Sequence, residues 1–248
     1  MEPPCGQLNP VNPHVYTTLG KLYQDFFELF DTDMFHMGGD EVNLNCWNST
    51  EEIQAELVKQ GKTGTEEELL AMWKRFQEQA AEKVYEAAGS RLPLILWTNS
   101  LTEKGHVEKF LSKDDYIIQI WTKGDDPVVK ELLEKDFRVI FSNYDAWYLD
   151  CGYSSWVGEG NNWCSPYKGW QVVYGNSPKA HYKAAGGDSS KENLILGGEA
   201  AMWSEQVTST LPLPLPRWTE RPWFTSCGPE PRPLVSDCGP TPPQTGNR

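Results

Sequence analysis

An α/β fold built on a parallel sheet is predicted by three features of this 248-residue sequence. Short apolar runs alternate with segments of helical periodicity, which is the order expected of β–α–β units. The runs are almost continuously apolar, as in strands that are covered on both faces. Each run also ends in a polar or aromatic cluster. No GxGxxG sequence follows any of them, which disfavours a dinucleotide-binding sheet.

Two long helices and one short helix are predicted from apolar residues that recur three and four positions apart. The first covers residues 13–30, with Asn12 before it as N-cap. The second runs over about 66–88, and Gly89 stands where a C-terminal cap belongs. The short helix covers 126–134. The apolar faces of the long helices consist of Val15, Leu19, Leu22, Phe26 and Leu29, and of Leu69, Trp73, Phe76, Ala80 and Val84.

Five strands are predicted, and each ends in side chains that could form a site. The strands are 34–37, 94–97, 116–121, 137–141 and 194–196. The clusters are Asp40-Glu41, Trp97-Thr98-Asn99, Trp121, Asn143–Asp150 and Trp203–Glu205. A (β/α)8 barrel places its active site at the carboxyl ends of its strands, so the sequence predicts part of such a barrel. A long loop rich in Gly, Asn and Trp is expected between the last two strands.

Composition and charge predict where the folded domain ends and which classes of partner are excluded. Residues 1–207 are expected to form the fold, whereas 208–248 are Pro-rich and are expected to be an irregular tail. The net charge of -13 argues against nucleic acid or an anionic membrane as a partner. No apolar run is long enough to span a membrane, and the first residues lack the pattern of a signal peptide. Cysteine and histidine spacing does not suggest zinc, and no metal or cofactor is expected.

The turn Gly38-Gly39-Asp40-Glu41 is the strongest candidate for chemistry. Glycines allow backbone angles that other residues avoid, and they let a ligand approach closely. Two crowded carboxyl groups do not ionise equally, so one of them can keep a proton to donate. The same residues could equally be two solvated acids in a polar turn, and spacing alone leaves both interpretations open.

Two motifs together resemble a known family. His36-Met37-Gly38-Gly39-Asp40-Glu41-Val42 is followed much later by Gly-Gly-Glu-Ala-x-x-Trp-x-Glu at 197–205. Over about residues 2–207 the chain resembles family 20 β-N-acetylhexosaminidases, in particular insect members that degrade chitin or process N-glycans. The resemblance implies removal of terminal N-acetylglucosamine or N-acetylgalactosamine from chitooligosaccharides or glycans. In that family the nucleophile is the acetamido group of the substrate.

The resemblance also implies roles for individual residues. Glu41 would be the general acid and then the base, Asp40 would orient the acetamido group, and Tyr148 would donate a hydrogen bond to the acetamido oxygen. The side chains implied in sugar binding are Trp97, Trp121, Asp150, Trp163, Trp203 and Glu205. A tryptophan at a strand end is otherwise ordinarily a core residue. His36 is predicted to be a hydrogen-bonded core histidine.

Cysteines and a glycosylation sequon favour an oxidising compartment. Cys151 and Cys164 flank a Gly- and Trp-rich loop, which they are expected to close as a disulfide. Asn48 begins the sequon Asn48-Ser49-Thr50. We therefore expect a secreted, lysosomal or other secretory location. Family members commonly dimerise, so the resemblance implies a homodimer.

By this resemblance, the predicted strands would correspond roughly to strands four to eight of the family barrel, without its N-terminal strands. Weak or absent activity is accordingly expected of this chain alone. Two alternatives stay open: a sugar-binding remnant without turnover, and a fragment without a stable fold.

Overall fold

A computed structural model describes residues 7–103, 105–150 and 165–203, and the backbone of Val235–Ser236. The strands are β1 Gln7–Leu8, β2 Phe35–His36, β3 Leu94–Trp97, β4 Tyr116–Ile120, β5 Arg138–Phe141, β6 Ile195–Gly198 and β7 Val235–Ser236. The helices are α1 Pro13–Leu29, α2 Leu44–Ser49, α3 Glu51–Lys59, α4 Glu66–Ala88, α5 Val107–Phe110, α6 Pro127–Glu134, α7 Tyr144–Trp147, α8 Trp170–Gly175 and α9 Pro178–Ala184. A 3-10 helix, Ser189–Leu194, leads into β6.

The predicted parallel α/β sheet is confirmed. Strands β2 to β6 form one sheet in the order β2-β3-β4-β5-β6, and every pair of neighbours is parallel. All five residues of β4 are buried, because the central strand of a parallel sheet is covered on both faces. The residues that the structure describes form an open part of a barrel rather than a closed one. The two short strands β1 and β7 pair antiparallel outside this sheet.

The three predicted helices are present as α1, α4 and α6. The Asn12 side chain accepts the His14 N–H at the start of α1. Thr65 and Glu68 form a capping box at the start of α4, and Gly89 ends that helix in the left-handed conformation at φ 72°. Helix α4 turns its apolar face to the core that also holds the buried strands, with Trp73 only 1% exposed.

The prediction of one long loop before the last strand is wrong. In its described part this segment contains α7, α8, α9 and the 3-10 helix. Ser177 and Asp188 supply side-chain N-caps to α9 and the 3-10 helix, and Pro178 stands at the first position of α9. Helices of four to seven residues are too short for an apolar period to reveal them. Helices α2 and α3 were likewise not predicted.

No helix among the described residues is long and apolar enough to cross a membrane. The division between residues 1–207 and 208–248 stays a prediction.

Candidate active site

The Gly38–Glu41 turn leaves the carboxyl end of β2 in a backbone conformation that the sequence makes possible. Gly38 and Gly39 have φ angles of 69° and 83°, in the left-handed region that favours glycine. Glu41 also has a positive φ, 53°, which is uncommon for a residue with a side chain. Such conformations cluster at functional sites. The side chains of Asp40 and Glu41 are both exposed at this edge of the sheet.

Neighbouring strand ends hold this turn by hydrogen bonds. The Trp97 N–H donates to the Gly38 carbonyl at 3.0 Å. The Asn99 side-chain amide donates to the Gly39 carbonyl at 2.8 Å. The Gly38 N–H donates to Nδ1 of His36 at 2.9 Å. Hydrogen bonds with His36, Trp97 and Asn99 therefore hold the backbone of the turn at Gly38 and Gly39.

Tyr148 is a buried phenol on which the charges of the acidic pair act. It forms a parallel bridge with Ala201, so the segment after α7 lies beside the segment after β6. Burial is the main cause that raises the pKa of Tyr148 to about 12, and the negative charges of Asp150, Asp40 and Glu41 also act on it. Its hydroxyl is consequently neutral and able to donate a hydrogen bond at physiological pH.

Aromatic rings gather around this phenol. Trp203 contacts Tyr148 with ring centroids 5.9 Å apart, and it contacts Trp97 at 6.2 Å. The Trp121 indole N–H donates to the Thr98 carbonyl at 2.7 Å, which fixes that ring at the end of the adjoining strand. Unlike a core tryptophan, Trp203 is 41% exposed. Trp97, Trp121 and Trp203, which we call the aromatic wall, thus lie at or after the carboxyl ends of three parallel strands, on the edge of the sheet that carries Asp40 and Glu41.

Of the other predicted site residues, Asp150 and Asn48 lie within the described part of the chain, and four lie outside it. Asp150 is buried, and one of its carboxylate oxygens accepts the Ser165 N–H at 3.1 Å. Asn48 lies in α2, where its side-chain oxygen accepts a hydrogen bond from Gln54 at 2.6 Å. Its glycosylation stays a prediction. The residues Cys151, Trp163, Cys164 and Glu205 lie outside the described residues.

Cys46 is disulfide-bonded. The other five cysteines of the sequence lie outside the described part of the chain, and so does its partner. In that same part of the chain, no group of three or more His, Cys, Asp or Glu side chains could hold a metal ion.

Sequence reasoning missed a polar network behind the turn. Gln119 is buried in the otherwise apolar strand β4, and its side chain contacts His36, Ser142 and Glu199. A polar residue in an apolar strand needs buried partners, and that signal could have identified it. His36 is hydrogen-bonded as predicted, but it is only half-buried and not a core residue.

Comparison with known proteins decides the family. Residues 1–218 match the profile of the glycosyl hydrolase family 20 catalytic domain. The chain belongs to this family. It is 54% identical over 213 residues to the chitooligosaccharidolytic β-N-acetylglucosaminidase of Ostrinia furnacalis, which covers 85% of this chain and 35% of that protein. It is 55% identical over 207 residues to the Bombyx mori protein of the same name, over 83% of this chain and 34% of that protein. The family 20 chain thus spans about a third of the length of these curated relatives.

Solved structures agree on the fold. The family 20 exo-β-N-acetylglucosaminidase of Vibrio harveyi, in complex with N-acetylglucosamine, superposes with a TM-score of 0.61 at 22% identity. That match covers 81% of this chain and 28% of the Vibrio chain. A β-N-acetylhexosaminidase from Bacteroides fragilis gives a TM-score of 0.56 at 18% identity, over 78% of this chain and 35% of its own. The sheet described above is therefore the sheet of a family 20 catalytic domain.

Proposed function

We propose that the protein removes terminal N-acetylhexosamine units from chitooligosaccharides or glycans by substrate-assisted hydrolysis with retention. The observation that carries this proposal is the left-handed Gly38–Glu41 turn, which presents two carboxylates beside the buried hydroxyl of Tyr148. The names of the two insect relatives support chitooligosaccharides as the substrate class.

In the proposed first step, the carboxylic acid of Glu41 gives its proton to the glycosidic oxygen as the bond from that oxygen to C1 breaks. The acetamido oxygen of the same sugar attacks C1 and forms an oxazolinium ring. The carboxylate of Asp40 accepts a hydrogen bond from the acetamido N–H, which offsets the positive charge that develops there. The Tyr148 hydroxyl donates a hydrogen bond to the acetamido oxygen and so directs that oxygen to C1.

In the second step the Glu41 carboxylate removes a proton from water. The water oxygen bonds to C1, and the bond from the acetamido oxygen to C1 breaks. Glu41 ends protonated, ready for another cycle, and both displacements together retain the configuration at C1.

We propose that the sugar stacks against the aromatic wall of Trp97, Trp121 and Trp203. Asp150 and Glu205 would accept hydrogen bonds from its hydroxyl groups, and Trp163 would stack against a further sugar unit. The 41% exposure of Trp203 and the T-shaped contact between its ring and that of Tyr148 support this use of the wall.

Hydrolysis of a chromogenic N-acetylglucosaminide by the purified protein tests the proposal, and we expect turnover that is weak but measurable. We expect Glu41→Gln and Asp40→Asn each to lower kcat by about a hundredfold or more, since each removes a group that acts only in the transition state. Asp33→Asn is the matched control, because Asp33 is an exposed acid before the same strand. The corresponding glucoside, which lacks the acetamido nucleophile, should not be hydrolysed.

Three results would contradict the proposed activity. They are turnover that survives Glu41→Gln, equal hydrolysis of the glucoside, and sugar binding without any turnover. The last would favour a binding role.

We also propose a secretory location and a homodimer. The disulfide of Cys46 supports an oxidising compartment, since disulfides are rare in the cytosol. Localisation of a tagged protein and sedimentation of the purified protein test these two proposals separately.

A further inference from the structure

A chain of hydrogen bonds runs behind the acidic turn, from Glu199 at the end of β6 to Gly38 at the end of β2. The Gln119 amide nitrogen donates to the Glu199 carboxylate at 3.1 Å. The Gln119 side-chain oxygen lies 3.0 Å from Nε2 of His36. Nδ1 of His36 accepts the Gly38 N–H at 2.9 Å. Two side chains, those of Gln119 and His36, therefore connect the Glu199 carboxylate to the backbone of the turn.

The carboxylate fixes which way the amide of Gln119 points. An ionised carboxylate only accepts hydrogen bonds, so the amide group facing Glu199 must be the NH2. The same NH2 donates to the Ser142 hydroxyl at 2.7 Å, and this hydroxyl donates to the Glu199 carbonyl at 3.0 Å. The Gln119 oxygen is then left to face His36.

The orientation of that amide fixes the tautomer of His36. A carbonyl oxygen only accepts, so Nε2 of His36 must carry the hydrogen, and Nδ1 must have the free lone pair. This lone pair accepts the Gly38 N–H. If the amide were reversed and His36 carried its hydrogen on Nδ1, the Gly38 N–H would face another N–H, and the turn would lose one of its bonds.

Burial keeps the ring neutral in this position. Desolvation is the main cause that lowers the pKa of His36, while the Gln119 hydrogen bond and the charges of Glu199 and Asp40 act in the opposite direction. The Trp97 ring packs against it with centroids 5.0 Å apart. The neutral ring is the form that has a lone pair to offer.

We propose that Glu199 is a positioning residue of the active site, whose carboxylate fixes the His36 tautomer that holds the Gly38–Glu41 turn. It acts through Gln119 and His36 and does not itself touch the substrate. The kinetic consequence rests on the proposed hydrolase function, whereas the tautomer does not.

The Glu199→Gln variant removes the negative charge of the side chain and keeps its size. Glutamine offers an oxygen as well as an NH2, so Gln119 can reverse and His36 can carry its hydrogen on either nitrogen. Glu199 is exposed, and the variant should fold. Glu192→Gln is the matched control, because it removes the same charge from the 3-10 helix before β6.

Nitrogen-15 NMR of the imidazole groups reads the tautomer directly in the whole protein. We expect the Nε2–H form of His36 in the wild type and in Glu192→Gln, and a mixture of tautomers in Glu199→Gln. An imidazolium or an Nδ1–H form in the wild type at neutral pH would overturn the proposal. So would a His36 spectrum that Glu199→Gln leaves unchanged.

Kinetics on the chromogenic N-acetylglucosaminide read the consequence. We expect Glu199→Gln to lower kcat by about tenfold to a hundredfold, the effect of a small misplacement of catalytic groups, with KM within about twofold. In a His36→Asn background, the asparagine oxygen can accept the Gly38 N–H without help from Gln119. There Glu199→Gln should change kcat by less than about twofold.

The two proposals can fail separately. A changed tautomer with an unchanged kcat, or an equal loss of kcat in the His36→Asn background, would refute the positioning role. A wild-type protein without turnover would refute the proposed hydrolase function, while the NMR experiment would still decide the tautomer.

Discussion

Replacing Gly39 by alanine should destabilise the protein more than the same change at Gly89. Both glycines have left-handed φ angles, 83° and 72°, and this conformation costs a residue with a Cβ roughly 1 kcal/mol or more. A Cβ on Gly89 would meet nothing within 4 Å, so the backbone cost is the whole effect there. A Cβ on Gly39 would lie 3.2 Å from both Gln77 Nε2 and Leu96 Cδ2.

Both neighbours of Gly39 are buried, so neither has much room to move. Gln77 is 2% exposed, and Leu96 is fully buried. Such overpacking costs about 1–3 kcal/mol, so we expect Gly39→Ala to lose about 2–4 kcal/mol in total and Gly89→Ala about 1. Unfolding in urea measures both free energies of unfolding, provided that the slope with denaturant is unchanged.

The same substitution should also affect activity. A turn displaced by a fraction of an ångström carries Asp40 and Glu41 with it, and we expect kcat to fall by about a hundredfold in Gly39→Ala but not in Gly89→Ala. Equal destabilisation by the two variants would show that the contact with Leu96 costs nothing. A kcat for Gly39→Ala equal to that of the wild type would show that the turn does not need its observed conformation.

Three further predictions concern stability. Thr65→Ala should lower the free energy of unfolding by about 1 kcal/mol through loss of the α4 cap, and Thr65→Ser should not. Burial raises the pKa values of Tyr16, Tyr23 and Tyr148 to about 12 from 10, so absorbance titration should find tyrosines that ionise only near pH 12. Because the unfolded chain releases these protons first, stability should fall as the pH rises from 10 to 12, and a constant stability there would contradict their burial. Cys46→Ala should cost about 2–5 kcal/mol under oxidising conditions and nothing once the wild type is reduced.

The parts of the fold that follow from the sequence are those with long or repeated signals. Helix α4 was predictable because its apolar face repeats over six turns between a capping box and Gly89. Strand β4 was predictable because nearly all its residues are apolar. This is the pattern of a strand that is buried on both faces, and the structure shows all five residues buried. Helices α7 to α9 were not, because each spans at most two turns and owes its position to tertiary packing.

Some residues of the candidate site could be named from motifs. Asp40, Glu41 and Tyr148 are such residues, and the charges of Asp40 and Glu41 act on Tyr148 in the structure, while their catalytic roles stay predictions. The role of Gln119 was not predictable, because its partners come from strands 83 residues before it and 80 residues after it. Only the register of the sheet shows that these side chains meet.

The bridge between Tyr148 and Ala201 bears on how this region of the molecule can evolve. Leu149 and Ala201 donate backbone hydrogen bonds across it, each at 2.8 Å, and these bonds set the phenol against Trp203. The geometry of that pair is thus decided locally, whatever the length of the 52-residue stretch that separates the two bridged residues in the chain. Changes of length in the loops between the described elements of that stretch can therefore leave the phenol and the indole in place.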